Sequence, residues 1–339
     1  MTQLNLDYQA NRFCGMVGNS RQMLDVFRKI NDAASVDVTL LVLGETGVGK
    51  ELSGRAIHNN SRRRGKPYIA VNCAAIPEGL IESELYGHVK GAYTGAVQSR
   101  TGKFGEAHEG TLFLDEIGSM PKEQQPRLLR VLEDMLITPV GANRGVKVDT
   151  RVIASTNEDL YAAIRGGQFR KDLYWRLSAV TISVPPLRER IVDIPMLIKY
   201  FMDKYQAQYG KEVPHFEPHE YIEYMRYGWP GNVRELEGAV KDIVTTGIGK
   251  LDKLKELERI AALLNGGVIT PQVLGTNSKK LREIERDIVI QALVRHNGNR
   301  THTAEELGVH VRTVRNHVRR IQKEMNLRME SGIETEDQA

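Results

Sequence analysis

The sequence predicts an α/β fold, a parallel sheet with helices on both faces, continued by a helical segment and closed by a separate all-α module. Three observations carry this. Five short apolar runs, each bounded by turn residues or helical patterns, lie within residues 38–187: VTLLVL (38–43), YIAVNC (68–73), TLFLDEI (111–117), RVIASTN (151–157) and TISVPPL (181–187). Continuous rather than alternating apolar runs are the mark of strands buried on both faces. From Ile191 to Lys250 the apolar spacing is helical, broken at PHFEPHE and at GWPGN. After a stretch rich in Gly, Pro, Asn and Ser, helical spacing resumes over 281–325.

Ahead of the first strand, Met23, Val26, Phe27 and Ile30 share one helical face, and Asn19 or Ser20 is the expected cap. Composition supports a globular chain: 41% of the 339 residues are hydrophobic and 27% charged. No run approaches the roughly 18 apolar residues that a bilayer span needs. MTQLNLDYQANRF lacks the order of a secretory signal. Two cysteines, Cys14 and Cys73, are too few for a disulfide framework and point to a reducing cytoplasm. The net charge of +4 is mild, but residues 279–329 hold twelve Lys and Arg against six Asp and Glu. A basic C-terminal region suits nucleic acid and equally suits a solvated helix face.

Between the first run and the next helical pattern stands GETGVGKE, comprising Gly44, Glu45, Thr46, Gly47, Val48, Gly49, Lys50 and Glu51. Glycines at a strand-to-helix turn let backbone N–H groups converge on phosphate oxygens, and the helix N-terminus adds positive potential. Lys50 is placed to reach the outer phosphates, which a mere tight turn does not explain. Glu51 stands where the generic motif has Ser or Thr. LFLDEI delivers Asp115 and Glu116 to a strand end; Asp115 would hold magnesium through water, and Glu116 would polarise the attacking water.

Other positions are less specific. Thr156 and Asn157 close RVIASTN at the same edge of the expected sheet, where an amide can orient water, or where a strand can simply run into an Asn turn. Arg170 and Arg176 are six apart in FRKDLYWRL. They read as surface salt-bridge residues or as arginines that neutralise charge on a neighbour's nucleotide.

GETGVGKE, VNCAA (71–75), ELYGHVKGAYTGA (84–96), GTLFLDEI, FRKDLYWRL, PPLRER (185–190) and GWPGNVREL (228–236) follow in this order. Together they resemble the central domain of the sigma-54-dependent transcriptional activators, the NtrC-like branch of the AAA+ ATPases, over roughly residues 15–250. The resemblance implies ATP binding by Gly44 to Glu51, with Mg2+ and hydrolysis served by Asp115 and Glu116. It implies that Asn72 is a switch contacting Glu116, that Thr156 and Asn157 form a first sensor, and that Arg234 forms a second. Arg170 and Arg176 become arginine fingers in a homo-oligomeric ring, commonly a hexamer. The insertion Gly91, Ala92, Tyr93, Thr94, Gly95 and Ala96 becomes the loop that contacts sigma-54 RNA polymerase, with Tyr93 where Phe is commonest. A second hairpin near 139–149 is expected beside it.

The region 281–325 reads as three helices. Leu281, Ile284, Ile288, Ala292 and Leu293 form an inward stripe in the first, and Asn297 with Gly298 ends it. The second begins at a Thr cap, with Thr303 and Glu306 at capping-box spacing. The third turns Val314, Val318 and Ile321 inward and leaves Arg312, Thr313, Arg315, Asn316 and Arg319 outside. That is helix-turn-helix chemistry, a face that can enter a major groove of double-stranded DNA; the module resembles the Fis-type domain of the same activators, which implies an upstream DNA site.

The expected organisation is therefore a short segment 1–14, an AAA+ α/β subdomain 15–187, a helical lid 188–250, a linker 251–280, a helix-turn-helix domain 281–325 and an acidic tail 326–339. With about fourteen residues before the ATPase core, control by a separate regulatory protein is one expectation. A remodeller of another partner and a passive repressor with a degenerate ATPase are the competing readings. GAYTGA counts against the first of these, and the intact set of Lys50, Asp115, Glu116 and the arginines against the second.

Overall fold

The structure is a computed structural model that describes residues 12–93, 96–211, 218–246, 300–306, 311–312, 314–315 and 318. It opens with a small antiparallel pair, β1 (Arg12–Phe13) and β2 (Met16–Val17), followed by helix α1 (Arg21–Ala34). Strand β3 (Leu40–Leu43) leads into α2 (Lys50–Asn59), and β4 (Tyr68–Asn72) into a short turn and α3 (Glu78–Tyr86). A hairpin of β5 (Gly87–His88) and β6 (Arg100–Thr101) carries the insertion, and α4 (Lys103–Glu106) returns the chain to β7 (Thr111–Asp115). Helix α5 (Gln125–Asp134) precedes a second hairpin, β8 (Leu136–Ile137) with β9 (Val146–Lys147). Then come β10 (Arg151–Thr156), α6 (Leu160–Arg165), α7 (Lys171–Leu177), β11 (Val180–Ser183), α8 (Ile194–Tyr209), α9 (Pro218–Arg226), α10 (Asn232–Thr246) and, far along the chain, α11 (Arg300–Glu306).

Five strands form one parallel sheet in the order β11-β3-β10-β7-β4. They are the five apolar runs of the sequence. Because side chains alternate across a strand, Leu112 and Leu114 of β7 enter one core with Leu85, Leu128 and Leu173 from the helices of that face. Phe113 enters the other core with Phe27 and Ile30 of α1 and Ile57 of α2. Helices therefore cover both faces, as a buried parallel sheet requires. The second hairpin starts at Leu136 rather than near Pro139, because its strand leaves α5 directly after the left-handed Met135 (φ 50°).

Helix α1 is capped by Ser20, whose Oγ accepts from the Met23 N–H. Its start is fixed from far along the chain. The fully buried Asp193 carboxylate accepts from the Asn19 N–H, the Ser20 N–H and the Ser20 hydroxyl, each at 2.7 Å. Those bonds tie the beginning of the domain to the segment that follows β11.

By packing, the chain divides into two compact units. One takes the residues up to Lys204 together with Trp229–Lys241, and the other takes Tyr205–Gly228 with the residues from Asp242 onward. In the second unit Tyr224, Met225 and Tyr227 are buried at the end of α9. Ala304 of α11 is buried with Val314, and Val311 and Val318 pack against that pair. The inward placement expected for Val314 and Val318 is thus observed. The expected Thr303 cap is not: α11 is already under way at Arg300, so Thr303 lies inside the helix, where the N–H groups a cap would satisfy are no longer free. The stripe from Leu281 to Leu293, the Asn297–Gly298 stop and Ile321 lie outside the described residues. Among the described residues no helix is long and apolar enough to cross a membrane.

Removing the Asp193 carboxylate leaves buried N–H donors without an acceptor, and hydrogen bonds to charged groups contribute about 1.5–3 kcal/mol each. Asp193→Ala is expected to lose about 3 kcal/mol or more in urea unfolding, with Asp193→Asn recovering part of it. An unchanged midpoint would show that this anchor contributes nothing.

Candidate active site

All five sheet strands point the same way, so their carboxyl ends meet on one edge. GETGVGKE leaves the sheet there after β3, Asp115 and Glu116 end β7, and Thr156 and Asn157 end β10. Two of the loop glycines have a physical reason. Gly49 has φ 107°, a conformation that costs a side chain strain, and no other group lies within 4 Å of where its Cβ would be. Gly47 has φ 80°, and a Cβ there would sit 2.2 Å from the Gly231 carbonyl oxygen. The loop is thus open on one side and in backbone contact with the start of α10 on the other. The Arg234 N–H also donates to the Gly47 carbonyl at 3.2 Å.

Lys50 begins α2 with its ammonium almost wholly enclosed, donating to the Gly44 carbonyl at 3.0 Å and to Glu116 Oε1 at 3.3 Å. Glu116 has φ 52°, a left-handed conformation that is costly outside glycine and characteristic of functional turns. Its Oε2 accepts from the Asn157 N–H at 3.2 Å, and Asn157 Nδ2 donates to Thr46 Oγ1 at 3.0 Å. The Ser155 hydroxyl donates to Asp115 Oδ1 in a short bond. Lys50, Glu116, Asn157 and Thr46 thus form one connected group, with Asp115 beside it.

A cleft of about 450 Å³ opens over this group. Thr46 to Glu51, Asp115 and Glu116 give it a polar lining, and Met16, Val17, Leu197, Tyr200 and Phe201 an apolar one. Phosphates suit the first and a flat ring system the second. Arg190 and Arg234 also line it. Arg190 is buried, donates to the Val48 carbonyl at 3.1 Å, and burial lowers its guanidinium to about 10. Glu51 is half-exposed and pairs with Arg55 one turn on.

Other expected residues lie elsewhere. Asn72 does not meet Glu116: its Oδ1 accepts from the Ala74 N–H at 2.9 Å and caps the short turn after β4, while the Glu116 carboxylate is taken by Lys50 and Asn157. The local cap, two residues away, outcompetes the longer reach. Arg170 is exposed and fork-bonded to Asp172, and Arg176 donates to the Leu132 carbonyl at 2.7 Å. Neither is among the described residues that line the cleft of its own chain.

The insertion turns back on itself: the Gly91 N–H donates to Ala96 O at 2.9 Å, and the Ala96 N–H to Tyr93 O at 3.0 Å. Tyr93 is 42% exposed, its ring edge-on to His88 at 5.1 Å between centroids. The insertion is bonded to the second hairpin through Val89 N–H to Val140 O (3.1 Å) and Val140 N–H to Gly87 O (2.8 Å). Thr94 and Gly95 lie outside the described residues, as do Thr313, Asn316 and Arg319. Arg312 and Arg315 are exposed.

Sequence reasoning passed over the apolar lining of the cleft, because Met16, Val17, Leu197 and Phe201 read as ordinary core. It also gave no role to Arg188 or Asn232, although PPLRER and GWPGN mark both. Arg188 is fork-bonded to Glu45, holding that carboxyl below its ordinary value.

The Gly47 geometry makes a direct prediction. Gly47→Ala combines a left-handed backbone with a clash against Gly231, and is expected to cost about 3 kcal/mol, seen as a lower thermal midpoint. An unchanged midpoint would mean that the loop is not held against α10.

Residues 16–183 match the family described as the Sigma-54 interaction domain, residues 188–261 the AAA+ ATPase lid domain, and residues 280–320 the Bacterial regulatory protein, Fis family. The chain is 43% identical over 301 residues to the transcriptional regulatory protein ZraR of Klebsiella oxytoca, covering 88% of this chain and 67% of that protein. It is 39% identical over 337 residues to the DNA-binding transcriptional regulator NtrC of Rhizobium meliloti, covering 90% and 69%. The crystal structure of NtrX from Brucella abortus in complex with ADP superposes with a TM-score of 0.66 at 31% identity, covering 93% of this chain and 71% of that one. The chain belongs to the sigma-54-dependent transcriptional activators, the NtrC-like branch of the AAA+ ATPases.

Proposed function

We propose that this ATPase works as a ring of copies that binds upstream DNA and uses ATP hydrolysis to remodel sigma-54 RNA polymerase through the loop 91–96. The observation that carries the reading is the connected group of Lys50, Glu116, Asn157 and Thr46 at a cleft lined by both polar and apolar residues. The backbone of Gly44 to Glu51 cradles the phosphates of ATP. Lys50 neutralises the outer ones, and Arg234 reaches them from the start of α10. Glu116 accepts the proton of the attacking water, and Asn157 orients that carboxylate through its N–H.

The residues present fit Mg2+. This ion is usually held by one or two carboxylates together with substrate phosphates, and Asp115 offers a carboxylate at the strand end with one oxygen fixed by Ser155. Among the described residues no cluster of three potential ligands would hold a metal by itself. When bound, the ion supplies charge neutralisation at the phosphates.

Arg170 and Arg176 act on the nucleotide of a neighbouring copy, which is why they stand exposed and away from their own cleft. Asn72 serves as the switch in a state other than the one seen, since its amide here is engaged at Ala74. In the C-terminal module, Val314 buried against Ala304 leaves Arg312 and Arg315 exposed. With Thr313, Asn316 and Arg319 they form the face that enters a major groove.

Two variants test the reading at separate points. Glu116→Gln keeps a hydrogen-bonding side chain but not a base, so ATP should bind with near-normal affinity while turnover falls about 100-fold or more. Normal turnover would remove Glu116 from the chemistry. Thr94→Ala should retain ATPase activity and lose activation of a sigma-54 promoter in a purified transcription assay. Full activation by that variant would remove loop 91–96 from the polymerase contact.

A further inference from the structure

Asn232 is a polar side chain with no exposed surface, and it stands in the left-handed region at φ 53°. Its amide is used on both sides. Oδ1 accepts from the Leu187 N–H at 2.7 Å, while Nδ2 donates to Glu45 Oε2 at 3.1 Å and to the Thr46 carbonyl at 3.0 Å. Three segments far apart in the sequence meet on this one group: the phosphate loop, the turn after β11, and the start of α10. Arg188, from the same turn, forks onto both oxygens of the Glu45 carboxylate and shares Oε2 with Asn232.

The chain of bonds continues inward. Thr46, held through its carbonyl by Asn232, offers its Oγ1 to Asn157, whose N–H holds Glu116, whose other oxygen holds Lys50. Every link is a hydrogen bond between 3.0 and 3.3 Å. A movement of α10 that displaced Asn232 would therefore move Thr46 and, through it, the groups that face the water and the outer phosphate. Such groups are sensitive: a misplacement of about 1 Å can cost roughly 100-fold in rate.

We propose that Asn232, Glu45 and Arg188 are positioning residues for ATP hydrolysis, a hydrogen-bonded relay by which the start of the lid sets the register of the phosphate loop against Glu116. None of the three side chains need touch the nucleotide; Glu45 serves the phosphates through its backbone alone. Their role differs from a structural brace because it requires donors on Asn232 rather than its volume. Glu45 and the Thr46 carbonyl both present acceptors, so an aspartate of the same shape would face oxygen with oxygen.

The test uses the full chain, with ATPase kinetics beside the affinity of a fluorescent, non-hydrolysable ATP analogue. Asn232→Asp, Glu45→Gln and Arg188→Lys are expected to lower kcat about 10- to 100-fold while analogue affinity stays within about threefold. Glu45 and Arg188 are each about 40% exposed, so their variants keep the idea testable where Asn232→Asp fails to fold. The Glu45→Gln/Arg188→Lys pair should lose no more than the worse single variant, because both cut the same link. Wild-type kcat in Glu45→Gln and Arg188→Lys, or lost analogue affinity with kcat retained, would overturn the relay. Either result would leave the wild-type ATPase and the proposed function standing; only failure of the unaltered chain to hydrolyse ATP would count against that reading.

Discussion

Everything at the active site depends on five parallel strands ending at one edge. Parallel pairing forces each connection to cross back over a face of the sheet, so the loops after β3, β7 and β10 gather together while the helices go elsewhere. The register pairs Thr156 with Leu43 and Ala154 with Leu114, so Gly44, Asp115 and Asn157 all follow at the carboxyl edge of the sheet. The apolar interior of this sheet carries no chemistry. It holds Lys50, Glu116 and Asn157 close enough to bond, and it does so from both faces through the cores around Phe113 and Leu114.

The strands were legible because burial on both faces leaves unbroken apolar runs, and the phosphate loop because only glycines suit its backbone. Asp115 and Glu116 were legible as the polar end of such a run. Pairings across long sequence separations were not. Arg188 and Glu45 are 143 positions apart, and Asn232 and Glu45 are 187 apart. No periodicity connects such residues, and an asparagine beside a glycine reads first as a turn. The cleft's apolar lining was invisible for another reason: Met16, Val17 and Leu197 have the composition of core and differ from it only in facing a cavity. Asn72 shows the limit in the opposite direction. Its identity fits a switch, yet a side-chain oxygen so near the Ala74 N–H makes the local cap, and only coordinates reveal which partner wins.

The insertion follows a different logic from the cleft. It is small-residue backbone, bonded to itself between Gly91 and Ala96 and to the second hairpin at Val140. Close approach is required there: a Cβ on Gly141 would lie 2.9 Å from that of Ala92. The two hairpins are thus joined, and Tyr93 is presented outward from that joint against His88. Arg170 and Arg176 are exposed, held by Asp172 and by the Leu132 carbonyl.

In the proposed mechanism, nucleotide chemistry in the cleft controls the contact made by loop 91–96. The most direct measurement is capture of purified sigma-54 by the full chain in the presence of ATP, of ADP, or of ADP with a metal fluoride that mimics the transferring phosphate. The account predicts strong capture with the transition-state mimic and weak capture with ADP. Equal capture in all three conditions, or none in any, would contradict it.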